Sequence, residues 1–467
     1  MDSCDKRLLT RPTRLLLLLI CWGMMQLPVS AAGAPVCHYY ASPTGSGNGL
    51  STAAPFQISD FWSVAAPGKT LCLLDGTYTD AASMIKPLTG LSGTSANPIT
   101  IRALNDGKVL LHGQRVRAPV LLDRNNYFIL EGFNACCSNI DVITVSGPVG
   151  IGDGSDYTIV RRVVAWDSPV DGNYKIFQVT GSQGVLLEDV AGFGTARKIF
   201  EIYRSNNVTI RRAWGRWEGS TQTGPKITFS CQYRSYESLC ENLIGTWSGE
   251  RQPNSTVPDQ LQGVLSADRL EVNDDPWHTP SRQLHAFLKL LGSIGYLQAN
   301  AEHAPGKVVY LGGSNEIEVN HVAAYVAPSS HLSHIRPIFL TNAEVSPAQG
   351  LVAKNLTGIG GGGDFIGSDW SLTNHDSAAS PSGVDSIFTS SGSARLCHRY
   401  IDGILTTTPL WPWPMNQRII DAMQAAGRNA VDVTATIEQI FGPIPSSCRA
   451  GATNPAPAAP YNLRVLP

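Results

Sequence analysis

Short apolar runs recur along the middle of the chain, and a serine follows each of them at one place in the pattern. Within the runs apolar and polar residues alternate, which is typical of β-strands. Successive serines are 21 to 32 residues apart. They are Ser155, Ser182, Ser205, Ser235, Ser266, Ser293, Ser314, Ser346 and Ser368. A repeat of this length without helical periodicity predicts an all-β solenoid whose turns pack on one another.

A second position of the repeat lies seven residues after most of these serines and carries Asn, Asp or Arg. Asn tolerates the left-handed backbone that sharp turns need, and stacked Asn side chains can hydrogen-bond along the rod. The series therefore predicts a structural column at one corner. Its members are Arg162, Asp189, Arg212, Asn242, Asn273 and Asn300, and later Asn320, Asn355 and Asn374.

The pattern changes at both ends of the chain. Residues 37–408 are interpreted as one β-helix that includes an N-terminal cap with a short helix over 58–65. Residues 409–467 are interpreted as a C-terminal cap or strap and tail. Within that segment helices are predicted over 415–426, ahead of Gly427, and over 434–441.

Composition agrees with an all-β body rich in turns. The chain has 467 residues, 45 Gly, 30 Pro and only 15% charged residues. Its formal net charge is −2, which argues against a nucleic-acid binder. We expect a monomer.

The N-terminus has the features of a secretory signal, assigned to residues 1–31. Basic residues precede the apolar run Leu15–Trp22, and Val29-Ser30-Ala31 offers a cleavage site. A membrane anchor is the alternative, but the run is short for a span. The sequence therefore predicts a secreted protein, extracellular or periplasmic, without membrane contact after the signal is removed.

Export places the mature chain in an oxidising compartment, where cysteines form disulfides. Eight cysteines lie beyond the signal. Proximity along the chain predicts the pairs Cys37–Cys72, Cys231–Cys240 and Cys397–Cys448. Cys136 and Cys137 are adjacent and receive no assignment. Metal binding is the weaker alternative, because no CxxC pair is present.

The residue before each repeat serine provides the candidate chemistry. It is Gly in five repeats, which suggests a backbone position that prefers positive φ. Arg204 and Arg234 replace Gly in two successive repeats, inside the same Tyr-Arg-Ser tripeptide. Because Arg is costly at such a position, a compensating role is plausible. Two guanidinium groups one turn apart are suited to holding a carboxylate or sulfate.

Lysines open the strands beside these arginines. Stacked cations lower one another's pKa, so Lys198 or Lys226 is a candidate general base. The candidate substrate-binding residues are Lys175, Tyr203, Arg212, Trp217 and Tyr233. In the alternative interpretation the lysines are solvated strand ends, and the arginines that end strands pair with Glu188 or Asp189.

Several motifs resemble the right-handed parallel β-helix superfamily, the pectin-lyase-like fold. The segments 40–47, 67–70, 75–78 and 97–101 look like the N-terminal cap and first turn of secreted chondroitinase B-like and alginate lyase-like proteins. The resemblance covers about residues 37–376 and implies the fold more strongly than the chemistry. The tail lies outside it.

The resemblance has departures that bear on chemistry. The separated Asp motifs of polygalacturonases are missing from the sequence, as is the full calcium-binding acidic cluster of the chondroitinase B-like lyases. The run Asn273–His278 resembles the Asp-Pro-His motif of alginate epimerases, but Trp277 interrupts it. Asp274, Asp275 and His278 are therefore an alternative acid/base set, and a calcium loop is an equal rival for the same residues.

The leading functional hypothesis is cleavage of an acidic, uronate-containing polysaccharide by β-elimination. In it Arg204 and Arg234 neutralise the uronate, and Lys198 or Lys226 removes the adjacent proton. A glycoside hydrolase or uronate epimerase is the first alternative, and a non-catalytic carbohydrate-binding or surface protein is the second. No cofactor is assigned, and calcium stays open as a metal.

Overall fold

A computed structural model describes residues 36–147, 153–222, 226–233, 235–247, 263–267, 285–301, 306–343, 347–383, 385–388 and 394–450. The predicted signal peptide lies outside these residues. Every strand pairing in the two large sheets is parallel, and strands of successive turns stack in order. The described chain is a parallel β-helix, as the sequence predicts.

One face of the rod is a sheet of nine described strands, which we call the first sheet. Its strands are Val120–Asp123, Ile143–Ser146, Lys175–Thr180, Lys198–Tyr203, Ile227–Tyr233, Gly263–Ala267, Lys307–Gly313, Arg336–Ala343 and Phe365–Ile366.

The other two faces form the second sheet, which has seventeen described strands. The early strands are Tyr39–Ala41, Thr70–Leu73, Gly76–Tyr78, Ile99–Ala103, Val109–His112, Phe128–Glu131, Asn134–Cys136, Ile159–Arg161, Val164–Trp166, Leu186–Glu188 and Ala191–Thr195. The later ones are longer and turn a corner within the strand: Thr209–Gly219, Leu239–Trp247, His285–Leu297, Asn315–Val326, Leu351–Ile359 and Ser371–Ala378.

The corner of the second sheet is a column of residues with left-handed backbone. These are Gly132, Arg162, Asp189, Arg212, Asn242, Gly292, His321, Asn355 and Asn374, with φ from 49° to 80°. Six of them are the predicted corner residues. The predictions for Asn300 and Asn320 are wrong, because Gly292 and His321 occupy the corner in those turns. Asn273 lies outside the described residues. Asn320, Asn355 and Asn374 nevertheless form a side-chain amide ladder with 2.7 Å bonds.

The serine series is confirmed in the middle of the rod, and it is wrong for Ser266 and Ser293. Backbone N–H groups of Ser155, Ser182 and Ser205 each donate to the hydroxyl of the next serine, ending at Ser235, over 3.0 to 3.3 Å. Ser266 lies inside a strand of the first sheet and pairs with Ser230. Ser293 lies inside a strand of the second sheet, and Ser346 is outside the described residues. An apolar run followed by serine therefore does not identify one corner throughout.

The core is a stack of apolar side chains from successive turns. The rings of Phe177, Phe200 and Phe229 are stacked with centroids 4.7 and 4.5 Å apart. Side chains with neighbours above and below lose their water contact almost completely, which is what makes each turn depend on the next. The predicted disulfides Cys37–Cys72, Cys231–Cys240 and Cys397–Cys448 are confirmed.

Outside the core, the second sheet carries a row of alternating charges, one per turn, that we call the charge ladder. It consists of Arg102, Glu131, Arg161, Glu188, Arg211 and Glu241. Arg161 lies 3.2 Å from Glu131, and Arg211 lies 2.7 Å from Glu188. Burial would raise the pKa of the Glu188 carboxyl, but Arg212 and Arg211 lower it below its usual range. These charges therefore hold neighbouring turns together.

Beyond the two sheets, three α-helices are described: Ile58–Phe61, Asn416–Ala425 and Val433–Phe441. They match the three helices predicted from the sequence to within a few residues. The hairpin His398–Ile401 and Ile404–Pro409 precedes the last two helices. None of the described helices is long and apolar enough to span a membrane.

The C-terminal segment is anchored along the side of the rod. Arg418 pairs with Asp106 and donates to the Asn134 side chain over 2.7 Å. Arg428 binds Glu218 at 2.5 Å and Asp167 at 2.8 Å. Since these partners belong to several turns, the segment acts as a strap that connects them.

Candidate functional site on the outer face of the first sheet

The side of the first sheet that faces away from the core carries three rows of side chains in register. The lysine row contains Asp141, Lys175, Lys198, Ile227, Gly263, Lys307 and Arg336. The central row contains Thr144, Gln178, Glu201, Ser230, Ser266, Tyr310, Phe339 and Phe365. The tyrosine row contains Ser146, Thr180 and Tyr203.

An irregularity in the strands brings the first two rows together. Ile199 and Phe200 are consecutive, yet both are buried in the core. Lys198 and Glu201, three residues apart, therefore lie on the same outer side, although strict alternation would place them on opposite sides. The preceding strand repeats the arrangement, because Ile176 and Phe177 are both in the core between Lys175 and Gln178.

Glu201 is clamped by two lysines. Its carboxylate oxygens lie 2.6 Å from Lys198 Nζ and 3.0 Å from Lys175 Nζ, and all three side chains are buried. Burial would raise the pKa of Glu201, but the two ammonium groups outweigh it and hold the pKa at about 2. Glu201 is therefore an anion at any ordinary pH, and it forms an ion pair with both lysines.

Asp141 is a second carboxyl at the edge of this cluster. Its Oδ1 accepts a 2.6 Å hydrogen bond from the Lys175 backbone N–H. Burial raises its pKa to about 6, against the opposing effect of Lys175. The two carboxyls thus titrate far apart, one as a permanent anion and the other as a group that can carry a proton near neutral pH.

Polar atoms without partners surround Glu201 along the central row. Thr144 Oγ1, Gln178 Oε1, Ser230 Oγ and Ser266 Oγ are inaccessible to water and form no hydrogen bond. Buried polar groups are normally hydrogen-bonded, and leaving one unpaired costs about 1–3 kcal/mol. Four such atoms in one row are a concentration of unused hydrogen-bonding capacity beside Glu201.

The central row becomes aromatic toward the last turns. The rings of Phe339 and Phe365 are stacked at 4.8 Å, and Tyr310 lies 5.9 Å from Phe339. Lys307 Nζ lies 4.3 Å from the ring centroids of both Tyr310 and Phe339. Burial lowers the pKa of the Lys307 ammonium. Flat rings beside a cation are suited to an anionic sugar.

The backbone at Arg204 has the positive φ that the sequence predicts for this position. Arg204 has φ 46°, and Gly181 at the same place in the previous turn has φ 63°. Arg204 Cζ lies 5.4 Å from the Tyr203 ring centroid, and its buried Nε has no hydrogen-bond partner. The sequence predicts positive φ at all five glycines of this position. The prediction is wrong for Gly154 and Gly367, which do not have positive φ.

Tyr233 and Ser235 repeat the arrangement of Tyr203 and Ser205 in the next turn. Tyr203 pairs with Tyr233, and the Ser205 N–H donates to Ser235 Oγ at 3.0 Å. The backbones of Tyr233 and Ser235 therefore align with those of Tyr203 and Ser205, whereas the predicted Arg234 is not among the described residues. The side chains of Tyr233 and Arg234 are outside the described residues.

Two predicted binding residues lie elsewhere. Trp217 is buried in the core against Trp247, with ring centroids 4.3 Å apart, so it offers no surface to a sugar. Arg212 is at the corner of the second sheet, where it binds Asp189 at 2.7 Å and Glu188 at 2.6 Å. The alternative interpretation of the arginines, pairing with acids, describes Arg212 correctly.

Lys226 is buried and directly precedes the strand Ile227–Tyr233. Since Ile227 pairs with Lys198, Lys226 lies one residue outside the lysine row. The alternative set Asp274, Asp275 and His278 lies outside the described residues. Glu201, Asp141 and the aromatic row were missed by sequence reasoning. An acid inside the otherwise apolar run 199–202 is the signal that could have identified Glu201.

Comparison with known proteins gives similarity at the level of structure. No protein-family model matches the chain, and no curated protein resembles it in sequence. The pectate lyase Pel9A shares 14% identity over 72% of this chain and 78% of its own, with a TM-score of 0.36. A rhamnogalacturonan lyase shares 13% identity over 68% and 73%, with a TM-score of 0.32.

PfbA, a surface adhesin of Streptococcus pneumoniae, shares 12% identity over 73% of this chain and 90% of its own, with a TM-score of 0.41. At these values the similarity concerns the path of the backbone and not the chemistry of any site. The solved structures whose backbone path resembles that of this chain thus include polysaccharide lyases and an adhesin.

Proposed function

We propose that the protein binds an acidic polysaccharide along the outer face of the first sheet and cleaves it by β-elimination. The observation that carries the proposal is the central row, where unpartnered buried polar atoms flank Glu201 and aromatic rings continue the same line. Sugar hydroxyls would satisfy the polar atoms, and sugar rings would lie on the aromatic ones. The cations of the lysine row and Arg204 supply the attraction for carboxylates.

β-Elimination needs a cation at the uronate carboxylate and a base for the proton on the adjacent carbon. The base takes that proton, the electron pair left behind forms a double bond, and the carbon–oxygen bond to the leaving sugar breaks. The leaving oxygen takes up a proton and departs as an alcohol. Arg204 and Arg234 are the proposed carboxylate ligands. Of the two candidate bases, Lys198 is disfavoured because it forms an ion pair with Glu201. Lys226, the other lysine of the sequence-based hypothesis, is the base that we propose to test first.

A hydrolase is the second candidate, favoured by the separated pKa values of Asp141 and Glu201. A carboxyl with a pKa of about 6 can protonate a leaving oxygen, and a permanently ionised carboxylate can act as its counterpart. The two reactions leave different products, which makes them separable by experiment.

The test is an assay of the purified protein against pectate, alginate and chondroitin, each with and without calcium. A lyase produces ultraviolet absorbance, a hydrolase produces reducing ends without absorbance, and a binding protein produces neither but is retarded by the polymer. Failure to bind or cleave any acidic polymer would overturn the proposal. The calcium arms determine whether the carboxylate needs a metal as well as arginine.

A separate variant tests the assignment of Lys226 as the base. Lys226→Ala should abolish turnover with little change in affinity, because the base acts in the transition state. Lys354→Ala, an exposed lysine on the second sheet, is the matched control and should behave as the wild type. Full turnover by Lys226→Ala would remove Lys226 from the mechanism.

A further inference from the structure

A histidine and two adjacent cysteines meet on the first turns of the second sheet, away from the proposed polysaccharide site. His112 ends one strand, Cys136 ends the strand of the next turn, and the two residues pair in register. Cys137 follows with φ 61°. One potential ligand atom from each of the three lies within 4.8 Å of the others. Within the described ranges this is the one cluster of three such residues.

We propose that this trio is a redox-gated binding site for zinc or a cation of similar chemistry. In the structure the two sulfurs form a disulfide, which is the oxidised, metal-free state. A dithiol reductant would supply two electrons and two protons, so that the sulfur–sulfur bond breaks, two thiols form and the reductant becomes a disulfide. Binding of the cation then releases the two thiol protons.

The donor set fits the cation. Two thiolates and one imidazole are ligands that zinc prefers, and three protein ligands leave a fourth position for water. Cys136 is buried, with Trp166 paired to it on the next turn, whereas His112 and Cys137 are partly exposed. The cluster thus has a protected side and an open side through which a cation can enter.

The imidazole has one competing contact. Its Nδ1 accepts a 3.0 Å hydrogen bond from the Gln114 backbone N–H. Binding through either ring nitrogen exchanges this exposed hydrogen bond for a metal bond. Such an exchange favours the cation once both thiolates are present.

The Cys136–Cys137 pair is also the disulfide that the fold can release most easily. It joins residues one apart, whereas the other three pairs join residues 35, 9 and 51 apart. A bond between neighbours closes no chain loop, so its loss does not free the unfolded chain. Mild reduction should therefore open Cys136–Cys137 first.

The test is a cobalt titration after mild dithiol reduction and anaerobic removal of the reductant. Alkylation and mass spectrometry establish which cysteines were opened. We expect one equivalent of Co²⁺ to bind with thiolate-to-cobalt charge-transfer absorption, and Zn²⁺ to displace it. The unreduced protein should bind none.

Substitutions of the three proposed ligands test whether the cation binds at this site. Cys136→Ser/Cys137→Ser should abolish the absorption, and His112→Ala should weaken binding while the circular dichroism stays unchanged. His331→Ala, an exposed histidine in a later turn, is the matched control. The proposal is overturned if the pair resists reduction, if the reduced protein binds no cobalt, or if the absorption persists unchanged in the double serine variant or in His112→Ala.

Discussion

The charge ladder of the second sheet and the outer face of the first sheet use the same residue types to different ends. In the ladder, arginines and carboxylates alternate turn by turn, so a cation such as Arg211 contacts carboxylates on both sides. On the outer face of the first sheet, two lysines share Glu201, and polar atoms next to it lack partners. Completed pairs indicate a structural role, whereas incomplete ones indicate a place kept for a ligand.

The largest effect should come from breaking the ladder. Glu188→Gln leaves Arg211 and Arg212 buried with weakened partners, and removal of one partner from a buried ion pair costs about 3–5 kcal/mol. Denaturant unfolding should show this loss of stability. Polysaccharide affinity should stay unchanged, and a loss of affinity in the folded variant would mean that the ladder belongs to the site.

A pH-dependent loss of stability should come from Asp141. Its folded pKa of about 6 lies above the usual value of about 3.9, so folding favours the protonated form. The corresponding stability is complete below pH ~4 and is lost as the pH rises through 6.

Asp141→Asn should remove this loss and raise stability at pH 7 by about 3 kcal/mol, relative to a wild-type curve measured in parallel. At pH 3 the two proteins should be equally stable. Parallel stability curves from pH 3 to 8 would show that Asp141 is not a proton carrier.

Two serines one turn apart allow a matched comparison of paired and unpaired hydroxyls. Ser205 Oγ donates to the Tyr203 carbonyl at 2.9 Å and accepts from the Ser182 N–H, so Ser205→Ala should cost about 1–2 kcal/mol. Ser230 Oγ has no partner, so Ser230→Ala should be neutral or stabilising.

Affinity for an acidic polysaccharide should follow the reverse order. Ser230→Ala should weaken binding and Ser205→Ala should not. If Ser230→Ala destabilises the fold as much as Ser205→Ala, the central row is structural.

The smallest effect should come from the aromatic end of the face. Phe339→Ala removes the middle ring of the row, and a ring contact of about 0.5–1.5 kcal/mol corresponds to roughly a two- to tenfold loss of affinity. Phe287→Ala removes an exposed ring from the second sheet and serves as the control. Equal affinities of the two variants would exclude the aromatic row from the site.

The sequence predicts the fold and the corner column because both depend on local rules. Strand periodicity, turn residues and cysteine spacing hold within one or two turns, so the helices, the three disulfides and corner residues such as Asn242 could be predicted. Gly292 and His321 were missed because the corner requires a backbone conformation rather than one side-chain type.

The site was harder to predict, since it depends on departures from the rules. Strict alternation would place Lys198 and Glu201 on opposite sides of the strand. They lie on the same side because the two consecutive residues between them, Ile199 and Phe200, both point into the core. Trp217 was expected at the surface because sequence does not distinguish an aromatic residue of the core from one of a binding face.

The most direct test of the central claim is the affinity of Arg204→Gly for an acidic polysaccharide, measured by calorimetry. Arg395→Gly is the control, since Arg395 also has positive φ, at 44°, but lies outside the first sheet, just before the hairpin strand His398–Ile401. Glycine accepts both positions without strain, so the folds should persist. A charge-assisted contact of about 1.5–3 kcal/mol predicts a roughly ten- to hundredfold loss for Arg204→Gly, with partial recovery in Arg204→Lys. Unchanged affinity in Arg204→Gly, or the same loss in Arg395→Gly, would contradict a polysaccharide site on this face.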